Sequence, residues 1–372
     1  MIYGTRVREA RELRGLTQSQ LAERLGVDHS TIALLEADRI RELRPDLVQG
    51  LAQATSLPVA FLEDPDLRDF PIGSLLFRAR GDMSKKEEAE ARAWGSVIYR
   101  RVDSLAQRLK IPGVTLPRLI DVTPEEAATF TRAALGLSPD GPIPHLINAA
   151  ERAGVLVLAL PIEMPRRDAF SAWVGEAILR PVIAVVTGVP GDRLRFSVAH
   201  ELGHLVMHQG HPMRIHQIED EAGSFAEALL MPAEGIAADL VPPLTLTQIA
   251  RLKPRWGVSI QALVRRAYRL DLLTKRQYTY MFEQIGQRGW RLHEPDNLSV
   301  KVERPRAVRK MIEVLYGLPL DYRRLAQDMR LHPHQVRQIV EAHADRSELP
   351  PRGAVGEPRV VAFRKPSLVE SD

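Results

Sequence analysis

Residues 195–208 read RFSVAHELGHLVMH, and no other run constrains the fold of this chain as tightly. Leu194, Val198, Leu202 and Leu205 recur at helical spacing, which predicts a partly buried helix. Within it lies His200-Glu201-Leu202-Gly203-His204, an HExxH pattern. Residues four apart share a helix face, so both imidazoles reach one ion and Glu201 stands beside it. Two neutral imidazoles with a carboxylate that activates a bound water suit zinc hydrolysis. The plain alternative is a solvated helix on which these are ordinary polar residues. The apolar flanks argue against it, because burying two imidazoles and a carboxylate without partners is costly.

Such a site needs a third protein ligand. Residues 219–232, EDEAGSFAEALLMP, form the next acidic cluster. Ala222, Phe225, Ala226, Leu229 and Leu230 make an apolar helical stripe that ends near Pro232. A second helix packed on the first would supply a carboxylate, and spacing alone leaves Glu219, Asp220, Glu221 and Glu227 open. His208 lies four residues beyond His204 on the same face. It can be read as an alternative ligand, a hydrogen-bond donor behind the ligands, an oxyanion binder, or a helix-end histidine facing the last carbonyls. Five of the eleven histidines lie between His200 and His216.

Together the two runs resemble the ImmA/IrrE metallopeptidases. The resemblance implies a zinc fold of the HExxH-plus-glutamate type. Its metal ligands would be His200, His204 and Glu221, the glutamate that opens the family's EAN-x-FA-x-x-LLMP pattern. Glu201 would be the catalytic base. Gly223 stands where that pattern has asparagine. The resemblance further implies cleavage of helix-turn-helix repressor proteins, in stress or mobile-element responses.

The N-terminus carries a different pattern. Arg6–Arg14 predicts a helix, and Thr17 is placed to cap a second from Gln18 to Leu25. Gly26 permits a sharp turn, Val27 plugs the angle between helices, and Asp28 opens a third helix from His29 to Ala37. Further helices are expected over 45–54 and near 58–62. Helix, short glycine turn, helix is the pattern of a DNA reader. It resembles the XRE or phage-repressor type through Leu62. That resemblance puts the third helix in the major groove, with His29, Ser30, Thr31 and Leu34 towards bases and Gln18 and Arg39 near phosphates. A homodimer on a double-stranded operator is the expected partner arrangement. Residues 1–62 carry eight basic and eight acidic side chains. A helical protein-binding module is the competing reading, since phosphate neutralisation supplies most DNA affinity.

The chain has 372 residues, enough for two or three domains. It has no cysteine, which excludes disulfides, thiolate metal sites and a cysteine nucleophile. No run reads as a membrane span or a secretion signal, so a cytoplasmic location is expected. Residues 251–337 hold nineteen basic and eight acidic side chains and are the electropositive part. Strands are expected over 155–160, 168–173 and 177–187. Either Pro181–Val186 or Ala172–Val174 would be an edge that holds a substrate backbone. Helices are expected over 85–110, 123–135, 144–153, 246–252, 259–268 and 274–286. The phrase Leu76–Arg80 and the helix after it resemble the connector of fused XRE–ImmA/IrrE proteins. Residues 320–342 have helix-turn-helix-like spacing with basic neighbours, read first as a hairpin that caps the domain.

The expected fold is therefore mainly α with a small β-sheet. A helix-turn-helix domain (1–68) precedes a linker and helical connector (69–143). An α+β zincin-like core (144–240), a helical C-terminal domain (241–346) and a loosely held tail (347–372) follow. The function expected is a DNA-binding regulator with zinc-dependent endopeptidase activity towards a repressor or an antitoxin-like protein. The competing class is a non-catalytic transcription factor or antitoxin-like protein whose zincin-like domain senses a ligand or binds a partner.

Overall fold

The computed structural model describes residues 1–40, 42–66, 84–162, 168–175, 180–208 and 215–344. Leu76–Arg80, His211 and the tail from 347 lie outside them. Among the described residues the chain forms seventeen α-helices and a three-stranded sheet. Local chemistry explains much of the helix content. Thr17/Gln20, Ser84/Glu87, Thr123/Glu126, Thr245/Gln248 and Thr274/Gln277 each close a reciprocal capping box at a helix start. Each cap stabilises its helix by about 1 kcal/mol.

Five helices build the N-terminal unit: α1 (Gly4–Glu12), α2 (Gln18–Leu25), α3 (His29–Glu36), α4 (Pro45–Thr55) and α5 (Val59–Leu62). Gly26 takes the left-handed conformation at φ 63°, so the chain reverses between α2 and α3 without a Cβ penalty. Asp28 occupies the N-cap of α3, but its side chain makes no capping bond. Leu21, Ile32, Leu35, Leu51 and Phe61 are fully buried between the helices.

The long helix α6 (Lys85–Gln107) ties this unit to the rest. Arg100 of α6 reaches Glu9 of α1 at 2.6 Å, and Arg101 pairs with Asp64 just beyond α5. All four side chains are buried. Helices α7 (Pro124–Ala134) and α8 (Leu146–Arg152) then lead into the sheet.

Strands β1 (Leu156–Leu160), β2 (Ala169–Val174) and β3 (Arg180–Val186) lie in the order β1-β3-β2. β1 runs parallel to β3, and β2 antiparallel to it. β3 is thus the central strand, bonded along both sides, so of the two alternatives for a substrate-holding edge Pro181–Val186 is ruled out and Ala172–Val174, in β2, lies on an edge strand among the described residues. Period-two alternation sends Val157, Ala159, Ile183 and Val185 to one core, and Leu156, Leu158, Val182 and Ala184 to the other. Both faces are covered, which is why β1 and β3 read as unbroken apolar runs.

The first core is closed by α7 and α8, then α9 (Gly191–Met207), α10 (Ile215–Leu230), α11 (Ala233–Asp239), α12 (Leu246–Trp256), α13 (Ile260–Arg269) and α14 (Lys275–Gln287). Helix α12 runs through Pro254 and reaches Trp256, four residues beyond its expected end at Leu252. The second core takes in α6, the N-terminal unit, and α15 (Ala307–Tyr316), α16 (Tyr322–Met329) and α17 (Pro333–Ala342). His343 seals the outer side of β1. Its Nδ1–H donates to the Ile339 carbonyl at 2.7 Å, and its Nε2 accepts the Ala159 N–H at 3.1 Å.

Candidate functional site

Helix α9 carries the HExxH residues against the inner face of the sheet. Trp173 of β2 donates its indole N–H to the Leu205 carbonyl at 2.9 Å. Arg193 and Ser197 both bond Asp168 at the start of β2, at 2.6 and 3.1 Å. Buried Arg195 bonds the carbonyls of Gly257 and Ile143. Helix α9 is therefore fixed from several sides before any site chemistry is considered. Helix α10 lies close across it. A Cβ at Gly203 would stand 2.9 Å from the Phe225 ring, so the glycine inside HELGH is what allows this approach.

That approach creates the site. His200 Nε2 and His204 Nε2 lie 3.0 Å apart. Glu219 of α10 places its two oxygens 3.3 Å from His200 Nε2 and 3.5 Å from His204 Nε2. One ligand atom from each of the three falls within 4.8 Å of the others. Two imidazole nitrogens and a carboxylate that converge in this way fit a divalent cation of the zinc type. Burial acts to raise the Glu219 carboxyl, but hydrogen bonds to His200 and His204 outweigh it and hold the group well below the usual carboxylate range.

Glu221, the carboxylate that the family resemblance pointed to, does not join this cluster. It sits beside His208, whose Nε2 is 3.2 Å from Glu221 Oε2. The helix turn explains the difference. Glu219 extends the stripe of Ala222, Phe225 and Ala226 that faces α9, whereas Glu221, about 200° further round the helix, leaves that stripe and meets only the C-terminal end of α9 at His208. Asp220 is exposed, and Glu227 is buried against Arg269 at 3.2 Å. The stripe itself was the sequence signal that selects Glu219.

His208 contacts His204 and Glu221 rather than joining the cluster. The two Nδ1 atoms lie 2.9 Å apart. For His204 to offer the Nε2 lone pair, its proton must sit on Nδ1 and be donated to His208 Nδ1. His208 then carries its own proton on Nε2 and donates it to Glu221. Burial, and then the neighbouring His204, push the His208 imidazole down to about 4, which keeps it neutral and able to accept. A histidine ligand oriented through its far nitrogen is the usual support of a metal centre.

Glu201 faces the same cleft as His200, His204 and Glu219, a space of about 630 Å³ walled by β2, α9 and residues 290–302. Ser171 of β2 donates its hydroxyl to Glu201 Oε2 at 2.6 Å. No pattern in the sequence singled out Ser171, because its role depends on how β2 is laid against α9.

At the other end of the chain, α3 presents His29, Ser30 and Leu34 to solvent, with Thr31 half-buried and Leu34 47% exposed. An exposed leucine on this helix is suited to a thymine methyl group. Arg39 is exposed beyond the helix end. Gln18 instead donates its amide to Glu36 at 2.9 Å, a buried carboxylate that Arg11 also holds at 2.6 Å.

Comparison with known families finds a match at each of these two places. Residues 7–62 match the family described as Helix-turn-helix, and residues 150–268 match a peptidase family described as IrrE N-terminal-like domain. No curated protein matches the chain. No described helix is long and apolar enough to cross a membrane. The first match supports binding to double-stranded DNA, and the second suggests a metal-dependent peptidase domain. The chain therefore carries an XRE-type helix-turn-helix domain fused to an ImmA/IrrE-like domain.

Proposed function

We propose that this chain is a DNA-binding regulator whose ImmA/IrrE-like domain is a zinc-dependent endopeptidase. The observation that carries the reading is the convergence of His200, His204 and Glu219 in one cleft with Glu201. His200, His204 and Glu219 would hold the zinc. When bound, it would polarise a scissile carbonyl and acidify a water. Glu201, its carboxylate steadied by Ser171, takes a proton from the attacking water and passes it to the leaving amine. His208 and Glu221 keep His204 in the tautomer that binds metal. β2, an edge strand among the described residues, runs along the cleft, and Asp168–Ser171 line it, so an extended substrate segment fits beside it.

The substrate class is a protein, a repressor or an antitoxin-like partner, acted on in a stress or toxin–antitoxin setting. Binding to an operator as a homodimer would bring the peptidase beside DNA-bound substrates. Purified wild type and Glu201→Gln, each with measured zinc content, are mixed with the proteins encoded beside the gene. Cleavage by wild type alone, with one zinc per chain in both, is expected. Zinc in both without cleavage of any neighbour would favour a regulator that senses or binds through the domain. Failure to take up metal would remove the proposal.

A further inference from the structure

Helices α16 and α17 repeat the architecture of α2 and α3 without a gap, whereas α15 packs on α6 and β1 and not as α1 packs on α3. Gln18–Leu25 aligns on Tyr322–Met329, both eight residues long. Gly26 aligns on Arg330, and both are left-handed, at φ 63° and 52°. The N-caps Asp28 and His332 fall at the same place, as do the first residues of the third helices, His29 and Pro333. The connections Leu13–Thr17 and Gly317–Asp321 have the same length. Burial repeats as well. Leu21 and Leu325, Ala22 and Ala326, Ile32 and Val336, and Leu35 and Ile339 are buried in matching pairs.

The outward face repeats in part, since Gln335, the counterpart of Thr31, is buried against the N-terminal unit. His334, Arg337, Gln338 and Glu341 of α17 are exposed, matching positions that include Ser30 and Leu34 of α3. Arg323 and Arg324 are exposed in the first turn of α16, where a helix-turn-helix meets the phosphate backbone. Asp321 and Asp328 are occupied: Asp321 accepts the N–H groups of Arg323 and Arg324, and Asp328 accepts the Tyr316 hydroxyl. Arg337 lies 4.8 Å from the Tyr322 ring centre, which holds its guanidinium at the surface. The turn between α12 and α13 has the same left-handed glycine, Gly257, but its polar residues serve the core. Lys253 is bonded to Asp192 and Glu294, and Arg266 to Glu125. Outside the N-terminal unit, α16–α17 is the described segment that combines such a turn with an exposed, basic outer face.

We propose that α16–α17 is a second helix-turn-helix that binds double-stranded DNA, with α17 as its groove helix. It is held to the first unit by Gln335, which donates to the Ser56 carbonyl, and Arg330, which donates to the Ala60 carbonyl, both at 3.2 Å. One chain would then meet duplex DNA at two places, through α3 and through α17.

The test uses the full chain and a duplex selected by it from a random-sequence pool. Affinity, its salt dependence and the footprint are measured for three proteins. They are wild type, Arg323→Ala/Arg324→Ala/Arg337→Ala, and Ser30→Glu/Leu34→Glu. The triple variant should bind at least about tenfold more weakly, with the salt slope reduced by roughly 0.9 for each phosphate that is no longer neutralised, and a shorter footprint. His334→Glu/Gln338→Glu, which adds charge at exposed positions, should weaken binding in the same way while the melting curve stays that of wild type. If both α17-side variants match wild type in affinity, slope and footprint, the proposal is overturned. The Ser30/Leu34 variant separates the two units, because weakening there alone leaves only the N-terminal reading. A wild type that binds no duplex overturns both.

Discussion

Replacing His208 by leucine removes the acceptor of the His204 Nδ1–H and leaves that donor buried without a partner. The variant keeps neither the 2.9 Å hydrogen bond to His204 nor the 3.2 Å one to Glu221. Removing the partner of a metal-binding histidine costs about 10- to 100-fold in affinity, or roughly 1.4–2.7 kcal/mol. Glu221→Gln keeps an acceptor oxygen for His208 and removes only the charge, so its effect should fall at or below the lower end of that range. Glu219→Gln removes a proposed ligand and should exceed about 100-fold. Competition between each purified protein and a chromophoric chelator for zinc gives all three constants. Melting of the metal-free proteins shows that the fold is kept. The expected order of severity is Glu219, then His208, then Glu221. If Glu221→Gln weakens zinc more than Glu219→Gln, the ligand assignment drawn from the geometry is wrong. If His208→Leu binds zinc within about twofold of wild type, the hydrogen-bonded support of His204 is refuted.

Other consequences follow from buried groups elsewhere. Burial lowers the His343 imidazole from 6.5 to about 4, despite its bond to the Ile339 carbonyl. The unfolded chain then binds more protons between those values, so this stability is complete above pH 6.5 and lost as pH falls towards 4. It amounts to about 3 kcal/mol, and denaturant midpoints of wild type and His343→Gln between about pH 7 and 4.5 would expose the difference. A Cβ on Gly223 meets nothing within 4 Å, so Gly223→Ala should stabilise α10 by about 0.5–1 kcal/mol, read as a higher melting temperature. Gly203→Ala, by contrast, pushes a methyl into Phe225 and should cost about 1–3 kcal/mol and loosen zinc binding, which calorimetry would record. Ser171→Ala should leave zinc affinity unchanged but lower kcat, since it frees only the Glu201 carboxylate. An unchanged kcat would deny Ser171 its positioning role.

Much of this molecule was legible in order along the chain. The HExxH helix, the αL turn at Gly26, the Thr17 and Thr123 caps and the three strands all depend on residues within one or two turns of each other. Such interactions leave a period or a spacing in the sequence. The match of the two motif-bearing domains to known families has the same origin, in contiguous motifs. Helix periodicity even contained the choice between Glu219 and Glu221, because only Glu219 continues the stripe that faces α9. The family pattern pointed two residues further on.

What the sequence by itself determined, then, was element type, the two motif-bearing helices and the kind of chemistry they can support. Tertiary structure decided the rest. It made β3 the central strand and left β1 and β2 as the edges among the described residues, because strand order follows from packing both sheet faces and not from composition. It brought Ser171 to Glu201 and Glu221 to His208 across gaps of 30 and 13 residues. It also merged the N-terminal unit, α6 and α15–α17 into one core on the outer face of the sheet. Contacts between distant segments carry no local signature. They are selected by shape and by the need to satisfy buried polar groups, which exist only once the chain has folded.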